Sequence, residues 1–337
     1  MNYIQLIRKR VTLLILAFIT CQVHAQQAPV YSQYMMNKFL VNPAVAGATG
    51  YTFINAAARE QFAGLVNAPR TFSLTAQSRM LEDSYIRRHL AVRKNPNKAA
   101  RDTRIGLGGH LYSDRNGIIT KTGIQLSYAY HINFNNKFQL SMGLTGSGFQ
   151  YKLDDSDTYL ADMDDPLLDG KRKTFWVPDI CMGTFITDNK FYAGISMSDV
   201  FGSSLKLGKD ILKENYRTLR HYNIMAGYRF RLENGLSFEP FTLLTSTAQA
   251  TRLDLGTKAY FKDDYWFGLS YRSDNTMVTM LGMQIDMFYF GYAYDASFNA
   301  IRNYSSGSHE IMMGVRLGDN SSRRFRWLKK DQIEYDM

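Results

Sequence analysis

Ser306-Gly307-Ser308-His309-Glu310 brings hydroxyl, imidazole and carboxylate groups into five residues, the side-chain types used in nucleophilic catalysis. A nucleophile also needs an oriented base and donors for an oxyanion. This stretch reads instead as a turn entering a strand, with His309 and Glu310 placed to hydrogen-bond across the sheet. The six histidines are scattered, and none has the HxxxH or HExxH spacing of a zinc site. Asp154, Asp155, Asp157, Asp162, Asp164, Asp165 and Asp169 offer hard oxygen ligands of the kind calcium takes. Their spacing departs from the helix-loop-helix calcium formula, and Lys171-Arg172-Lys173 can neutralise them, so the run reads as a solvated acidic loop. The expectation is a protein with no catalytic residues, no metal and no cofactor.

The elements around these residues begin with a leader. Arg8-Lys9-Arg10 precede the apolar run Val11 to Ile19, and Val23-His24-Ala25 supplies a small-residue cleavage pattern, so residues 1–25 read as a secretory signal peptide. The apolar run is shorter than the roughly 20 residues that span a bilayer as a helix. Cys21 raises a lipid-anchor reading, but Phe18-Ile19-Thr20 is a poor approach to a lipidated cysteine. Removing 25 of the 337 residues leaves 312, enough for one large barrel or two small globular domains. Only Cys181 then remains, so no intrachain disulfide is expected. The net charge of +10 falls to about +7 without the three basic leader residues. No nucleic-acid recognition motif accompanies that charge. It suits a periplasmic edge facing acidic partners or outer-membrane lipid.

Residues 26–51 lack a two-residue period, and Asn42-Pro43 with Gly47 marks a turn, so they are expected to form a packed N-terminal prologue. Candidate strands follow at 52–58, 70–78, 104–113, 121–133, 137–151, 174–186, 189–199, 219–232, 235–244, 248–261, 264–272, 275–285, 288–296 and 309–318. Tyr222, Ile224, Ala226, Tyr228 and Phe230 oppose Asn223, Met225, Gly227, Arg229 and Arg231, giving one lipid-compatible face and one polar face. Many segments reach the roughly 9 to 11 residues a tilted strand needs to cross a membrane. With 22 Tyr and 21 Phe, aromatic residues at strand ends can supply interfacial girdles.

A soluble sandwich would alternate too, and the charges discriminate. Arg229, Arg252, Asp254, Lys258 and Arg316 all fall on polar faces, where a membrane barrel has a wet or plugged lumen, and they form a candidate lumen network. The fold expected is all-β, a transmembrane outer-membrane barrel of about fourteen antiparallel strands over residues 52–318. An even strand number puts both barrel termini on the periplasmic side, with external loops at 59–69, 152–173, 200–218 and 297–308. The long connection 79–103 becomes a periplasmic excursion. Residues 319–337 form a basic periplasmic tail in which Arg323, Arg324, Arg326, Lys329 and Lys330 surround Phe325, Trp327 and Leu328.

Gln33-Tyr34-Met35-Met36-Asn37 with Val41-Asn42-Pro43-Ala44-Val45-Ala46-Gly47 resembles the opening of the PorP/SprF family of type IX secretion system membrane proteins. Tyr292-Ala293-Tyr294-Asp295 followed by Gly307-Ser308-His309-Glu310-Ile311-Met312 is similar to the late block of that family, and Phe191-Tyr192-Ala193-Gly194-Ile195-Ser196 to its strand cores. The motif positions are Asn37, Asn42, Pro43, Ala44, Gly47, Tyr294, Asp295, Gly307, Ser308, His309 and Glu310. The resemblance implies a non-catalytic outer-membrane component of Bacteroidetes that takes part in protein secretion and the anchoring of gliding-type surface adhesins. Its implied partners are a cargo protein with a C-terminal sorting domain and other type IX secretion components. On the expected topology, Tyr159, Phe201 and Tyr304 are candidate cargo contacts. A passive outer-membrane channel for small solutes is the alternative reading.

Overall fold

A computed structural model describes residues 31–80, 104–117, 119–134, 138–153, 174–188, 190–202, 204–205, 216–217, 219–232 and 235–317. Its strands are β1 (Thr52–Glu60), β2 (Arg70–Arg79), β3 (Ile105–Asn116), β4 (Ile119–Phe134), β5 (Phe138–Leu153), β6 (Thr174–Thr187), β7 (Phe191–Ser198), β8 (Ser204–Leu205), β9 (Tyr216–Arg217), β10 (His221–Tyr228), β11 (Phe230–Arg231), β12 (Leu236–Ser246), β13 (Thr251–Phe261), β14 (Tyr265–Arg272), β15 (Thr276–Ile285), β16 (Phe288–Ser297) and β17 (Ser308–Leu317). All but β8, β9 and β11 make one closed antiparallel barrel of fourteen strands. Consecutive members pair, β10 pairs with β12, and β1 closes the circle on β17. The closing register runs from Thr52 opposite Leu317 to Glu60 opposite His309. Closure pairs the first and last strands, which an open sheet in lipid could not do. β11 continues β10 along β12, while β8 and β9 pair only with each other.

Thr52 and Leu317 define a terminal end; Glu60, Arg272 and Ser308 lie toward the far end. The outer face is apolar, with Leu126, Leu144, Ile195, Leu255, Phe267 and Ile311 all exposed. Their alternation with inward residues follows from the strand's two-residue period. Phe134, Phe138, Phe230, Phe261, Tyr265 and Phe288 form an exposed aromatic ring at the terminal end, where amphipathic rings suit the lipid–water interface. Among the described residues no helix is long and apolar enough to cross a membrane. The strands make the crossing.

The prologue lies inside the barrel. Tyr31–Gly50 passes through the lumen as turns and two short 3-10 segments, Lys38–Leu40 and Pro43–Val45. Tyr34, Met35, Phe39, Ala44 and Ala46 are buried in one cluster with the inward side chains Phe185, Met225, Phe241 and Met280. The wall is shaped to this segment. A Cβ on Gly143 would stand 2.3 Å from the backbone nitrogen of Ala44, and one on Gly106 would stand 2.0 Å from the carbonyl oxygen of Ala46. Neither neighbour is the end of a flexible side chain that could swing away, so glycine is required for the plug to seat.

Candidate functional site

A plug without regular secondary structure must find partners for its backbone groups, because an unpaired buried amide or carbonyl costs about as much as a lost hydrogen bond. The inward face of the barrel supplies such partners at both ends, and side chains of the plug add bonds to the wall in between. At the far end, Glu310 accepts the backbone N–H of Ser32 (2.7 Å) through Oε2 and that of Gln33 (3.0 Å) through Oε1. The Ser32 hydroxyl donates to Asp295 at 2.7 Å. At mid-height, Asn37 Nδ2 donates to Thr75 Oγ1 at 2.8 Å. Lower down, Asn42 Oδ1 accepts the Ala44 N–H at 2.9 Å, capping the second 3-10 turn. Its Nδ2 donates to the carbonyls of Thr184 (2.9 Å) and Ile195 (3.3 Å) on two adjacent strands.

At the terminal end the donors come from the wall. Arg79 Nε donates to the Gly47 carbonyl at 2.9 Å, and Gln139 Nε2 to the Ala48 carbonyl at 3.0 Å. His131 Nε2 lies 2.9 Å from the Ala46 carbonyl. Gly47 has φ +69°, a left-handed conformation that favours glycine at this bend into β1.

The far-end clasp belongs to a larger buried ion network. Arg59 Nη2 meets Asp295 Oδ2 at 2.7 Å and Arg59 Nη1 meets Glu310 at 3.4 Å. Arg272 reaches Asp295 at 3.0 Å and Asp254 at 3.4 Å, and Arg252 lies 3.5 Å from Asp254. Three guanidinium groups therefore face three carboxylates, and the formal charges cancel. Balance matters because an uncompensated buried charge is strongly destabilising. A second cluster lies nearer the terminal end. Lys258 Nζ pairs with Glu239 at 3.0 Å, and Arg229 pairs with Asp263 at 2.6 Å while lying 4.0 Å from the Tyr260 ring centre. The plug contributes Lys38, whose ammonium lies 4.2 Å over Tyr192.

The five charged residues expected to share one lumen network are therefore distributed. Arg252 and Asp254 join the far-end network, Lys258 and Arg229 make separate pairs nearer the terminal end, and Arg316 lies 5.4 Å from the Tyr51 ring centre. Four positions in β13 separate Asp254 from Lys258, about 13 Å along a strand, which puts them beyond direct contact. Arg59, Arg272, Glu239, Ser32 and Lys38 were not singled out by the sequence reading. Glycines and small polar residues on the inward face were the available signal, since a lumen packed only by its own wall would carry bulkier side chains there.

The two resembling blocks meet at Gln33, whose N–H donates to Glu310, and Ser32, just ahead of the first block, binds Asp295 and Glu310, whereas the motif positions Asn37 and Asn42 bond to Thr75 and to Thr184 and Ile195. Pro43 and Ala44 are buried beside Gly143. The expected cross-sheet bond at His309 is present, its Nδ1 lying 2.7 Å from the Tyr292 hydroxyl, whereas Glu310 turns inward to hold the plug. Gly307 has φ +93°, the Tyr294 hydroxyl donates to the Ser306 carbonyl at 2.9 Å, and Ser308 Oγ accepts the Phe62 N–H at 3.1 Å. Phe201 and Tyr304 sit in far-end loops, exposed by 56% and 75%. Tyr159, the acidic run, the segment 81–103 and the tail from 318 onward lie outside the described residues.

The family model for the type IX secretion system membrane protein PorP/SprF matches residues 23–315. No curated protein matches the chain. Among solved structures, the chain is similar to the Ralstonia pickettii toluene transporter TbuX, with 10% identity, a TM-score of 0.44 and coverage of 87% of this chain and 95% of that one. The monoaromatic hydrocarbon channel CymD is 11% identical, with a TM-score of 0.43 and coverage of 87% and 94%. The KdgM porin is 8% identical, with a TM-score of 0.35 and coverage of 78% and 97%.

Proposed function

Since the chain belongs to the PorP/SprF family and is an outer-membrane barrel component of the type IX secretion system, we propose that it binds and anchors a cargo protein's C-terminal sorting domain at the cell surface. The observation that carries this reading is the filled lumen, with Tyr31–Gly50 wedged against inward glycines and bonded to the wall from the far end to the terminal end. A passive solute channel would need that segment displaced. A plugged, closed barrel instead offers a rigid frame for its loops, so binding energy is not consumed in ordering the platform.

In this reading the terminal end faces the periplasm and the far end faces outward. The far-end loops 61–69 and 298–307 are tied together, because the Ala63 N–H donates to the Gly307 carbonyl at 2.7 Å and the Ser306 N–H to the Ala63 carbonyl at 2.8 Å. They present Val66 and Tyr304 to water. Tyr304 and Phe201, with Tyr159, which follows β5 in the sequence, are the proposed aromatic anchors, since buried aromatics dominate binding hot spots. The tail beyond Leu317 is proposed to meet other secretion components or anionic lipid.

The test is to extract the tagged protein gently in detergent and identify what accompanies it. A large protein ending in a sorting domain should be recovered, and Tyr304→Ala with Phe201→Ala should reduce that recovery severalfold while leaving the barrel intact. A solitary barrel with steady solute conductance, in cells that display all their surface proteins without it, would favour the channel instead.

A further inference from the structure

One sector of the outer wall breaks the neutral pattern of the far rim. Register carries a single lateral row across five strands: Glu60 stands opposite Arg70, Arg70 opposite Arg115, Arg115 opposite Thr120, and Thr120 opposite Lys152. The strand's two-residue period turns this row outward. Asp114 and Lys121, one position away, face the lumen, where Asp114 accepts from Thr71 and the Lys121 ammonium lies 4.0 Å from the Phe149 ring centre. On β10, β13, β14 and β17 the outward positions nearest the far rim are Tyr222, Thr251, Tyr271 and His309. The outward cations of the far rim are thus gathered on β2, β3 and β5.

Their charge is only partly answered within the protein. Glu60 takes Arg70 at 2.8 Å in an exposed pair. Arg115 donates a long bond to the Gly117 carbonyl at 3.5 Å, and neither it nor Lys152 has a carboxylate partner among the described residues. Like charges directly opposite one another destabilise a sheet, so Arg70 against Arg115 carries a cost that an external anion relieves.

The row also lies at a definite depth. On β4 the outward side chains from Phe134, in the terminal aromatic ring, to Ile124 cover about 34 Å of strand and about 26 Å along the axis at the usual tilt. The apolar band of a membrane barrel is about 25 Å tall. Thr122 and Gln150 follow, then the cations, which therefore stand at the height of lipid headgroups. Below Lys152 and Gln150 on the outer face of β5 come Gly148 and Gly146. A Cβ on Gly146 would meet nothing within 4 Å, and one on Gly148 only Trp176, at 3.9 Å. These glycines, unlike Gly143, answer to no close neighbour, and they leave a trough between Ile124 and Leu126 on one side and Pro178 and Ile180 on the other.

We propose that this sector binds a phosphate-bearing lipid, with Arg115 and Lys152 on the headgroup phosphates and an acyl chain in the trough of β5. Guanidinium matches phosphate oxygens in a fork, and ammonium adds a point charge. Arg115 and Lys152 are two strands apart, roughly 10 Å, so a headgroup with more than one phosphate engages both. The cations supply the recognition and the trough the anchorage. This site is independent of the cargo reading; with the far end outward, the leaflet it meets is the one that carries lipopolysaccharide.

The test titrates the full-length barrel in detergent with lipopolysaccharide, its dephosphorylated form, phosphatidylglycerol and inorganic phosphate, and counts bound lipid by native mass spectrometry. A heat-modifiable band first establishes that each variant has folded. Phosphorylated lipid should bind saturably and the dephosphorylated form should not. Arg115→Gln with Lys152→Gln should weaken binding by roughly thirtyfold. Lys190→Gln with Arg231→Gln removes the same charge at the terminal end and should leave it unchanged. Equal weakening by both pairs would reduce the effect to net charge and overturn the site, as would equal binding of dephosphorylated lipid or displacement by inorganic phosphate. Tighter binding of lipopolysaccharide than of phosphatidylglycerol supports the site with the far end outward. The reverse preference supports the site and overturns that orientation. Gly148→Leu should shorten lipid retention severalfold, and unchanged retention removes the trough from the site.

Discussion

Arg59 and Asp295 are 236 residues apart in the chain, and their side chains meet at 2.7 Å inside the barrel, both almost wholly withdrawn from water. Between them sits the Ser32 hydroxyl, which binds both. This pair joins the first barrel strand, the penultimate strand and the plug, so its removal tests whether the plug is a bonded part of the structure. Arg59→Met leaves the Asp295 and Glu310 carboxylates with less compensation, a change of the class that costs roughly 3 to 5 kcal/mol. Amide exchange across residues 31–36 should quicken by orders of magnitude while the barrel strands keep their protection. Unchanged exchange there would show that the clasp contributes nothing to seating.

Gly143→Val should expel the plug, since the new side chain would overlap the Pro43–Ala44 backbone. Planar bilayer recordings should then show a conducting pore where the parent protein is closed. Gly146→Ala is the control: it lies on the outward face of the same strand, and a Cβ there meets nothing within 4 Å. A closed Gly143→Val barrel would mean that the wall yields and the plug stays.

Leu126 is 66% exposed on the outer face of β4, next to the inward Gln125. Arginine at a midplane lipid-facing site costs roughly 2 to 4 kcal/mol. Leu126→Arg should lower the fraction of folded barrel recovered in lipid vesicles, read from the heat-modifiable band. Equal folding yields for Leu126→Arg and the parent would place this position outside the hydrocarbon layer.

The strands, their faces and the all-β membrane class were legible in the chain because a strand's two-residue period is imposed by the pleat. Leu253, Leu255 and Ala259 against Asp254, Lys258 and Tyr260 state that period without any knowledge of neighbours. The turn chemistry of Asn42-Pro43 and Gly47 was legible for the same local reason, since proline and glycine restrict or free the backbone wherever they occur. The two family motifs were visible as separate blocks near opposite ends of the chain.

The tertiary structure decided what those blocks do to each other. Whether the prologue lay under the barrel, beside it or within it depended on closure, and closure depends on β1 finding β17 across more than 200 intervening positions. Charge partners were undetermined for the same reason. Arg252, Asp254 and Lys258 share a strand face, but position around and along the barrel brings Arg272 as well as Arg252 to Asp254 and gives Lys258 to Glu239. Local sequence specifies which way a side chain points relative to its own strand. Only the closed circle of strands specifies what stands opposite, and here that is the chain's own beginning, held by Glu310 near its end.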